Sequence, residues 1–467
     1  MGYRIRQIEP EDQFCRAITV DVVSAVIGSD KIEQALAENG VCEQRVRKLP
    51  ARLTLLLCIM MNLLTDLSLA YVLVRMLRGT RLLCDVSVKE LASKSAISRA
   101  RYRLGAKVMQ SLFKQVCQPI ATEQSQGAFA YGLRLVAIDG TVENMADTPE
   151  NEAFFGRHHA NRGSAACPQV KAVYLCECGT HVIFDASFLA CHTSEHKGAQ
   201  RILRSVQADM LVLYDCGLYS FDMVFNIVQR QAHVLCRLPA SSKPQCVKKL
   251  SDGSYLAYIY PSASQRRRSG ERLLVRIISY TIDDPDRPGQ GVVHRLLTTL
   301  LNPHLYPALE LIEYYHERWE IEVTLDEIDS HQRLLDRPLR SLQPAGVIQE
   351  LYGLLIAHFI VRSIMHQVAR LADIDPDRLS FINSVRLICD ALADFQLVHP
   401  DEHPRLWLRL LQDIVHFQLP PRDNRINPRV VKRKLSKFKK KRPEHFRPPK
   451  PKPFIDGLVL CRAGHCA

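Results

Sequence analysis

What this 467-residue sequence lacks narrows its class before any motif is read. It has no uncharged apolar run of the roughly 20 residues that a membrane-spanning helix needs. Residues 53–64 stop at Thr65-Asp66, and residues 347–365 carry Glu350, His358 and Arg362. Both stretches are expected to be buried helices, outside any membrane. The paired Cys-x2-Cys of a structural zinc site is also missing. The 15 cysteines are odd in number and scattered through apolar runs, as at Cys58, Cys117, Cys216, Cys236 and Cys389. Cys176 and Cys178 with His181, and Cys461 with His465 and Cys466, resemble metal sets but lack that spacing. Met1-Gly2-Tyr3-Arg4 leads into polar residues rather than a secretory leader. A reducing cytoplasm with mostly buried thiols is the expected setting.

The content that remains is that of an ordinary globular protein, 47% hydrophobic and 24% charged, with material for about three domains. Bases exceed acids by 62 − 49 = 13. Between Arg429 and Pro453 stand twelve Lys/Arg against the single acid Glu444, so this stretch carries +11 of the excess. Such a block suits a polyanion-binding arm, with a solubilising tail as the plainer reading.

Patterning divides the chain into five parts. Residues 1–125 read as helical and as a DNA-binding domain. Within them, residues 88–93 and then a Ser-rich start at residue 95 followed by Arg99, Arg101 and Arg103 give helix, turn, basic helix. Residues 126–239 and 294–340 read as an α/β core: strand-like runs from Leu133, Val170, His181 and Met210, then helix and strand to Leu238. Residues 240–293, rich in Ser, Pro, Gly and Arg, read as a β-rich insertion. Residues 341–417 read as a helical C-terminal region, and 418–467 as the basic tail.

Two acids close strand-like runs: Asp139 before Gly140-Thr141, and Asp215 before Cys216-Gly217. Functional groups gather at such ends in open α/β sheets, although capping a following helix is an alternative use. A third acid lies in the helical run Tyr315-His316-Glu317-Arg318-Trp319-Glu320-Ile321-Glu322. At about 100° per residue Tyr315, Arg318 and Glu322 share a face, which suits a phosphodiester held beside a metal-binding acid. A solvated face with i, i+4 charge pairing has the same pattern. Three carboxylates on separate elements suit two hard divalent cations, one activating a water or 3′-hydroxyl and the other stabilising the departing oxygen.

In these blocks the chain resembles the DDE transposases of the insertion-sequence-four family, whose helix motif is Tyr-x2-Arg-x3-Glu-x6-Lys. The likeness runs through Ala137-Ile-Asp139-Gly-Thr, Leu213-Tyr-Asp215-Cys-Gly-Leu-Tyr-Ser220 and Tyr314-Tyr-His-Glu-Arg318-Trp-Glu-Ile-Glu322, in order. The resemblance implies a ribonuclease-H-like core with Asp139, Asp215 and Glu322 as catalytic, metal-binding triad for two Mg²⁺, with Mn²⁺ able to substitute. It implies Tyr315 and Arg318 on DNA phosphate, and a bacterial, nucleoid-associated enzyme. Such an enzyme binds double-stranded DNA at terminal inverted repeats, hydrolyses 3′ strands, and joins the 3′-hydroxyls to target DNA from a homodimer or larger synaptic assembly. The motif lysine falls at position 329, which is Asp329; either Arg333, one turn on, substitutes for it, or that phosphate contact is absent. A catalytically impaired copy acting as a DNA-binding repressor is the second reading, and a simple metal-dependent nuclease the third.

Overall fold

The computed structural model describes residues 2–7, 21–41, 47–160, 163–267, 270–281, 292–333 and 337–420. The basic tail from residue 421, with Cys461, His465 and Cys466, lies outside the described residues, as do parts of 1–125 and 240–293.

The helices of the N-terminal region pack around α1 (Ala51–Met60), whose Leu, Cys, Ile and Met side chains are buried nearly all the way round. α2 (Lys94–Val116) begins where the Ser93 hydroxyl accepts from the Ala96 amide, 3.3 Å, and it kinks at Gly105, whose φ of 73° is outside the helical range. The helix-turn-helix reading of this stretch is corrected here. Residues Val88–Glu90 form a single 3₁₀ turn, because Ser87 and Glu90 cap each other's backbone and Leu91 is already extended. The basic segment is therefore the first half of one long kinked helix.

The central sheet has ten strands, counting the short Phe129–Ala130 beside β1. In chain order they are β1 (Leu133–Asn144), β2 (Gln169–Glu177), β3 (Val182–Ala190), β4 (Met210–Tyr214), β5 (His233–Arg237), β6 (Cys246–Lys249), β7 (Tyr255–Ile259), β8 (Leu273–Tyr280) and β9 (His294–Thr298). Their order across the sheet is β3-β2-β1-β4-β5-β9-β8-β7-β6. β1 to β3 form an antiparallel meander, and β4 and β5 run parallel to β1 through the helical crossovers α3 (Glu195–Ile202) and α4 (Phe221–Val228). This 3-2-1-4-5 order is a ribonuclease-H-like core. β6 to β9 continue the same sheet by antiparallel pairing, so the β-rich stretch extends the core's far edge. β4 is buried at every position, as a parallel strand covered on both faces should be.

After the sheet come α5 (Ala308–His316) and α6 (Trp319–Asp326), then α7 (Pro344–Ala372), α8 (Phe381–Leu397) and α9 (His403–Val415). α7 is long and apolar enough to cross a membrane, but it is the central core helix, mostly buried inside the protein. It touches α1, α2, β3, α8 and α9. Its approach to α1 requires Gly353: a Cβ there would lie 2.4 Å from the Cys58 carbonyl. Glu350 on α7 is buried without an ion-pair penalty because its carboxylate accepts from the Arg340 and Ser341 amides, 3.0 Å each, and from the Ser341 hydroxyl at 2.6 Å.

Candidate active site

The last rung that β1 and β4 share is Ile138 opposite Tyr214. Asp139 and Asp215 each follow that rung by one residue, so the register alone brings the two acids side by side. The expectation that Asp139 ends its strand is corrected: β1 continues to Asn144 because β2 pairs with it throughout, Asp139 opposite Tyr174. Only on its other edge does β1 lose its neighbour, where β4 stops and Asp215 turns away. The Gly140 amide donates to Asp139 Oδ1 at 2.8 Å, and the Gly217 amide to Asp215 Oδ1 at 2.7 Å.

Glu322 enters from α6. Arg318 links the acids, its Nη2 2.8 Å from Glu322 Oε1 and its Nη1 3.7 Å from Asp139 Oδ2. Burial pushes the Asp139 carboxyl up to about 6; the charges of Asp215 and Glu322 add to this, while the Gly140 bond and Arg318 oppose it. Three carboxylates grouped around one guanidinium carry unneutralised negative charge. That is the condition under which oxygen-ligated divalent cations bind, so the donor set fits a hard divalent cation.

The helix carrying the Tyr-Arg-Glu motif is not the unbroken α-helix that its spacing predicts. Between α5 and α6 the amides of Glu317, Arg318, Glu320 and Ile321 bond three residues back, tightening the chain where Arg318 sits. Tyr315 is consequently only 9% exposed, and its hydroxyl donates to the Tyr214 carbonyl, 3.4 Å, next to Asp215. Beyond α6, Glu327–Gln332 form a π-helix, with the Arg333 amide bonding Ile328 five residues back.

That change of period decides the fate of the residues expected at the motif's far end. Asp329 faces β1, where the Thr141 hydroxyl donates to it at 3.2 Å, and burial pushes its carboxyl up to about 6. Arg333 is the expectation that the geometry disfavours. It is buried against Glu143, donates to the Arg337 carbonyl at 3.1 Å, and its proton affinity is pushed down to about 10 by burial. A guanidinium so enclosed does not present itself to a phosphate.

The three arginines of α2 also part company. Arg99 and Arg103 are exposed and line a surface hollow of 380 Å³ with Arg47, Lys48 and Ser93. Arg101 turns inward and donates to Gln349 Oε1 and Ser341 Oγ, 2.9 Å each, tying α2 to α7.

Two features near the acids carried no sequence signal. Glu195, at the start of α3, lies so close to Gly140 that a Cβ there would be 2.4 Å from Glu195 Oε1. Burial raises its carboxyl, Lys171 opposes this, and the charge of Asp215 adds to it. Trp319, 39% exposed, lines a 900 Å³ groove with Glu322, Val323 and Asp326. Cys176 and Cys178 are buried thiols that do not converge with His181 on an ion; His181 meets carboxylates instead.

The chain is similar to known proteins over most of its length. Residues 17–114 match the N-terminal region of insertion element 4 transposases, and residues 130–360 match the transposase DDE domain. The chain is 30% identical over 416 residues to the transposase InsG for insertion sequence element IS4 of Escherichia coli (strain K12), covering 87% of this chain and 90% of the relative. It is 26% identical over 211 residues to the putative transposase InsZ of the same organism, covering 45% of this chain and 68% of that one. Among solved structures, a piggyBac transposase in a synaptic complex with hairpin DNA aligns over 87% of this chain and 86% of its own. The TM-score is 0.45 and the identity 12%.

Proposed function

The chain belongs to the insertion element 4 family of DDE transposases, and from that premise we propose that it cuts 3′ strands at the terminal inverted repeats of its own element and joins them to target DNA. The observation that carries this reading is the register of β1 and β4, which sets Asp139 and Asp215 at one point of the sheet with Arg318 and Glu322 across from them.

The residues divide the work by their surroundings. Asp139, Asp215 and Glu322 would hold two Mg²⁺, which when bound supply an activated oxygen nucleophile and a stabilised leaving oxygen. Backbone amides at Gly140 and Gly217 fix one oxygen of each aspartate, and the second oxygen of Asp139 lies toward Arg318. Arg318, bonded to Glu322, is positioned to take a phosphate oxygen in exchange for a carboxylate, and Tyr315 orients it from beneath, its ring centroid 6.0 Å from the guanidinium carbon. Trp319 offers an exposed ring for stacking a base beside the cut. Arg99 and Arg103, with the basic residues beyond 421, would add phosphate affinity. Cutting two ends implies at least a homodimer in the synaptic complex.

A plasmid carrying the element's two ends tests this. The full chain with Mg²⁺ is expected to nick at the end boundaries and give strand-transfer products, while Asp139→Asn and Asp215→Asn bind the ends and cut nothing. Nicking that persists in either variant overturns the triad. Cutting without joining would assign a nuclease, and end binding without cutting by the unaltered chain a repressor.

A further inference from the structure

Where the helix Pro149–Phe155 meets the turn that follows β3, two imidazoles and a thiol converge. One ligand atom from each of His158, Cys191 and His192 lies within 4.8 Å of the other two. In a tetrahedral zinc site, with bonds of about 2.0–2.1 Å to nitrogen and 2.3 Å to sulfur, donor atoms stand roughly 3.3–3.6 Å apart. The three are thus within about 1.5 Å of the spacing of one coordination shell. The sulfur is buried, and the two rings that must close the gap are exposed side chains able to turn about χ1.

The backbone beneath them is fastened from several sides. The Cys191 amide donates to the Phe155 carbonyl at 2.8 Å, and the Gln169 amide to the Gly156 carbonyl at 3.1 Å. Arg157 points inward, buried, and donates to Glu152 Oε1 at 3.0 Å and to the Ala165 carbonyl at 2.8 Å. His158, next along the chain, is thereby left on the surface beside His192, their ring centroids 6.0 Å apart. Gly156 keeps the donors uncovered. Its φ of 80° suits a glycine, and a Cβ there would stand 3.1 Å from Cys191 Sγ and 3.2 Å from His192 Nε2. Among the described residues no side chain hydrogen-bonds the thiol or either of the two rings, so their lone pairs stay available to a cation. Lys171, whose charge reaches Cys191 and His158, has its Nζ on the Thr193 carbonyl at 2.8 Å and occupies none of the donor atoms.

We propose that His158, Cys191 and His192 form a zinc site, sharing no residue with the catalytic acids, that ties the segment after Pro149–Phe155 to the turn leading into α3. One thiolate and two imidazoles suit a borderline-soft cation and disfavour magnesium. Binding releases the Cys191 thiol proton to solvent, and a water takes the fourth position at the exposed rim.

Cobalt, which takes zinc's place and absorbs light, reports the ligands directly. The full chain carrying Cys461→Ser and Cys466→Ser, which removes the tail's thiols, is stripped with a chelator, kept reduced, and titrated with cobalt. One equivalent is expected to give a near-ultraviolet sulfur-to-cobalt band with tetrahedral visible bands, all displaced by zinc. Adding Cys191→Ser is expected to abolish the sulfur band, which oxygen ligands elsewhere in the chain do not produce. His158→Gln is expected to weaken zinc binding at least about tenfold, the smaller loss found when even an outer partner of a metal ligand is removed. His158 is exposed, so the urea midpoint of the metal-free chain should stay put in that variant, which separates lost ligation from lost folding. Absence of a sulfur band at one equivalent, a band that survives Cys191→Ser, or zinc affinity that His158→Gln leaves unchanged overturns the proposal.

Discussion

Glu322 and Glu327 leave neighbouring turns of the same helical stretch and meet opposite surroundings. The Glu322 side chain is 26% exposed and pairs with Arg318, a cation that it shares with Asp139. The Glu327 side chain is 6% exposed and saturated: Arg362 grips it through Nε and Nη2, and His358 Nε2 lies 3.1 Å away. The difference teaches how one helix serves two ends. Glu322 and its neighbours are left with more negative charge than Arg318 neutralises, the condition under which a divalent cation would bind. Carboxylates meant for structure are given their full complement of donors, because a buried charge that loses one partner is costly.

The largest test of that contrast exchanges the two acids' chemistry. Glu322→Gln is expected to lower DNA cleavage by about 10³-fold or more, roughly 4 kcal/mol of barrier at 1.36 kcal/mol per decade, while the denaturant midpoint stays put. Glu327→Ala is expected to do the reverse first: a loss of about 3–5 kcal/mol of stability, because Arg362 is left buried without its partner. Urea unfolding beside a cleavage assay separates them. A Glu322→Gln chain that melts early, or a Glu327→Ala chain of full stability, would break the comparison.

The same contrast recurs among the arginines of α2, with smaller effects. Arg101 is committed to Gln349 and Ser341, so Arg101→Ala is expected to cost about 1.5–3 kcal/mol, the range for hydrogen bonds to a charged group. Its salt dependence of DNA binding should not change. Arg99→Ala with Arg103→Ala should leave stability within about 0.5 kcal/mol, as for surface substitutions. Every phosphate that thereby goes without its cation should flatten the slope of log K against log salt by about 0.9. Fluorescence anisotropy at several salt concentrations reads the slope. Equal slopes for both variants would remove α2 from the DNA interface.

Much of this architecture was legible in the residues, and the parts that were not share a cause. The apolar runs at 133–138 and 210–214 announce β1 and β4, and an acid after each points to the site. Gly140-Thr141 reads as the end of a strand, however, because pairing with β2 some thirty residues on is what carries β1 to Asn144. Arg101 and Arg103 look alike in sequence; only the distant helix α7 tells them apart. The partners of His181 lie 139 residues away at Glu320 and farther still at Asp377, so no local pattern announces them. The π-helix was equally invisible, since 3.6-residue arithmetic continues smoothly past Glu327 and places Asp329 and Arg333 on the wrong face.

Asp329 supplies the finest test, because the family motif and this chain's own packing pull in opposite directions there. A lysine at 329 would complete the motif, but here the position faces Thr141, with Arg333 Nη1 3.9 Å from the carboxylate. Asp329→Lys is therefore expected to destabilise the chain by placing a second cation beside the enclosed Arg333, with no gain in cleavage. Asp329→Asn probes the charge alone. Burial holds the folded carboxyl near 6 against an ordinary value of 3.8, so between those values the folded chain keeps a proton that the unfolded chain has released. Its contribution to stability is full below about pH 4 and is lost as pH rises through about 6. Asparagine carries no such proton, still accepts from Thr141, and should gain on the unaltered chain across that window. Asp139 and Glu317, raised in the same direction, titrate in both proteins and cancel in the difference. Urea midpoints at pH 4.5 and 7 measure it. A difference that does not grow with pH would mean that Arg333 already neutralises Asp329, and the buried end of the motif would then belong with the saturated side of the helix.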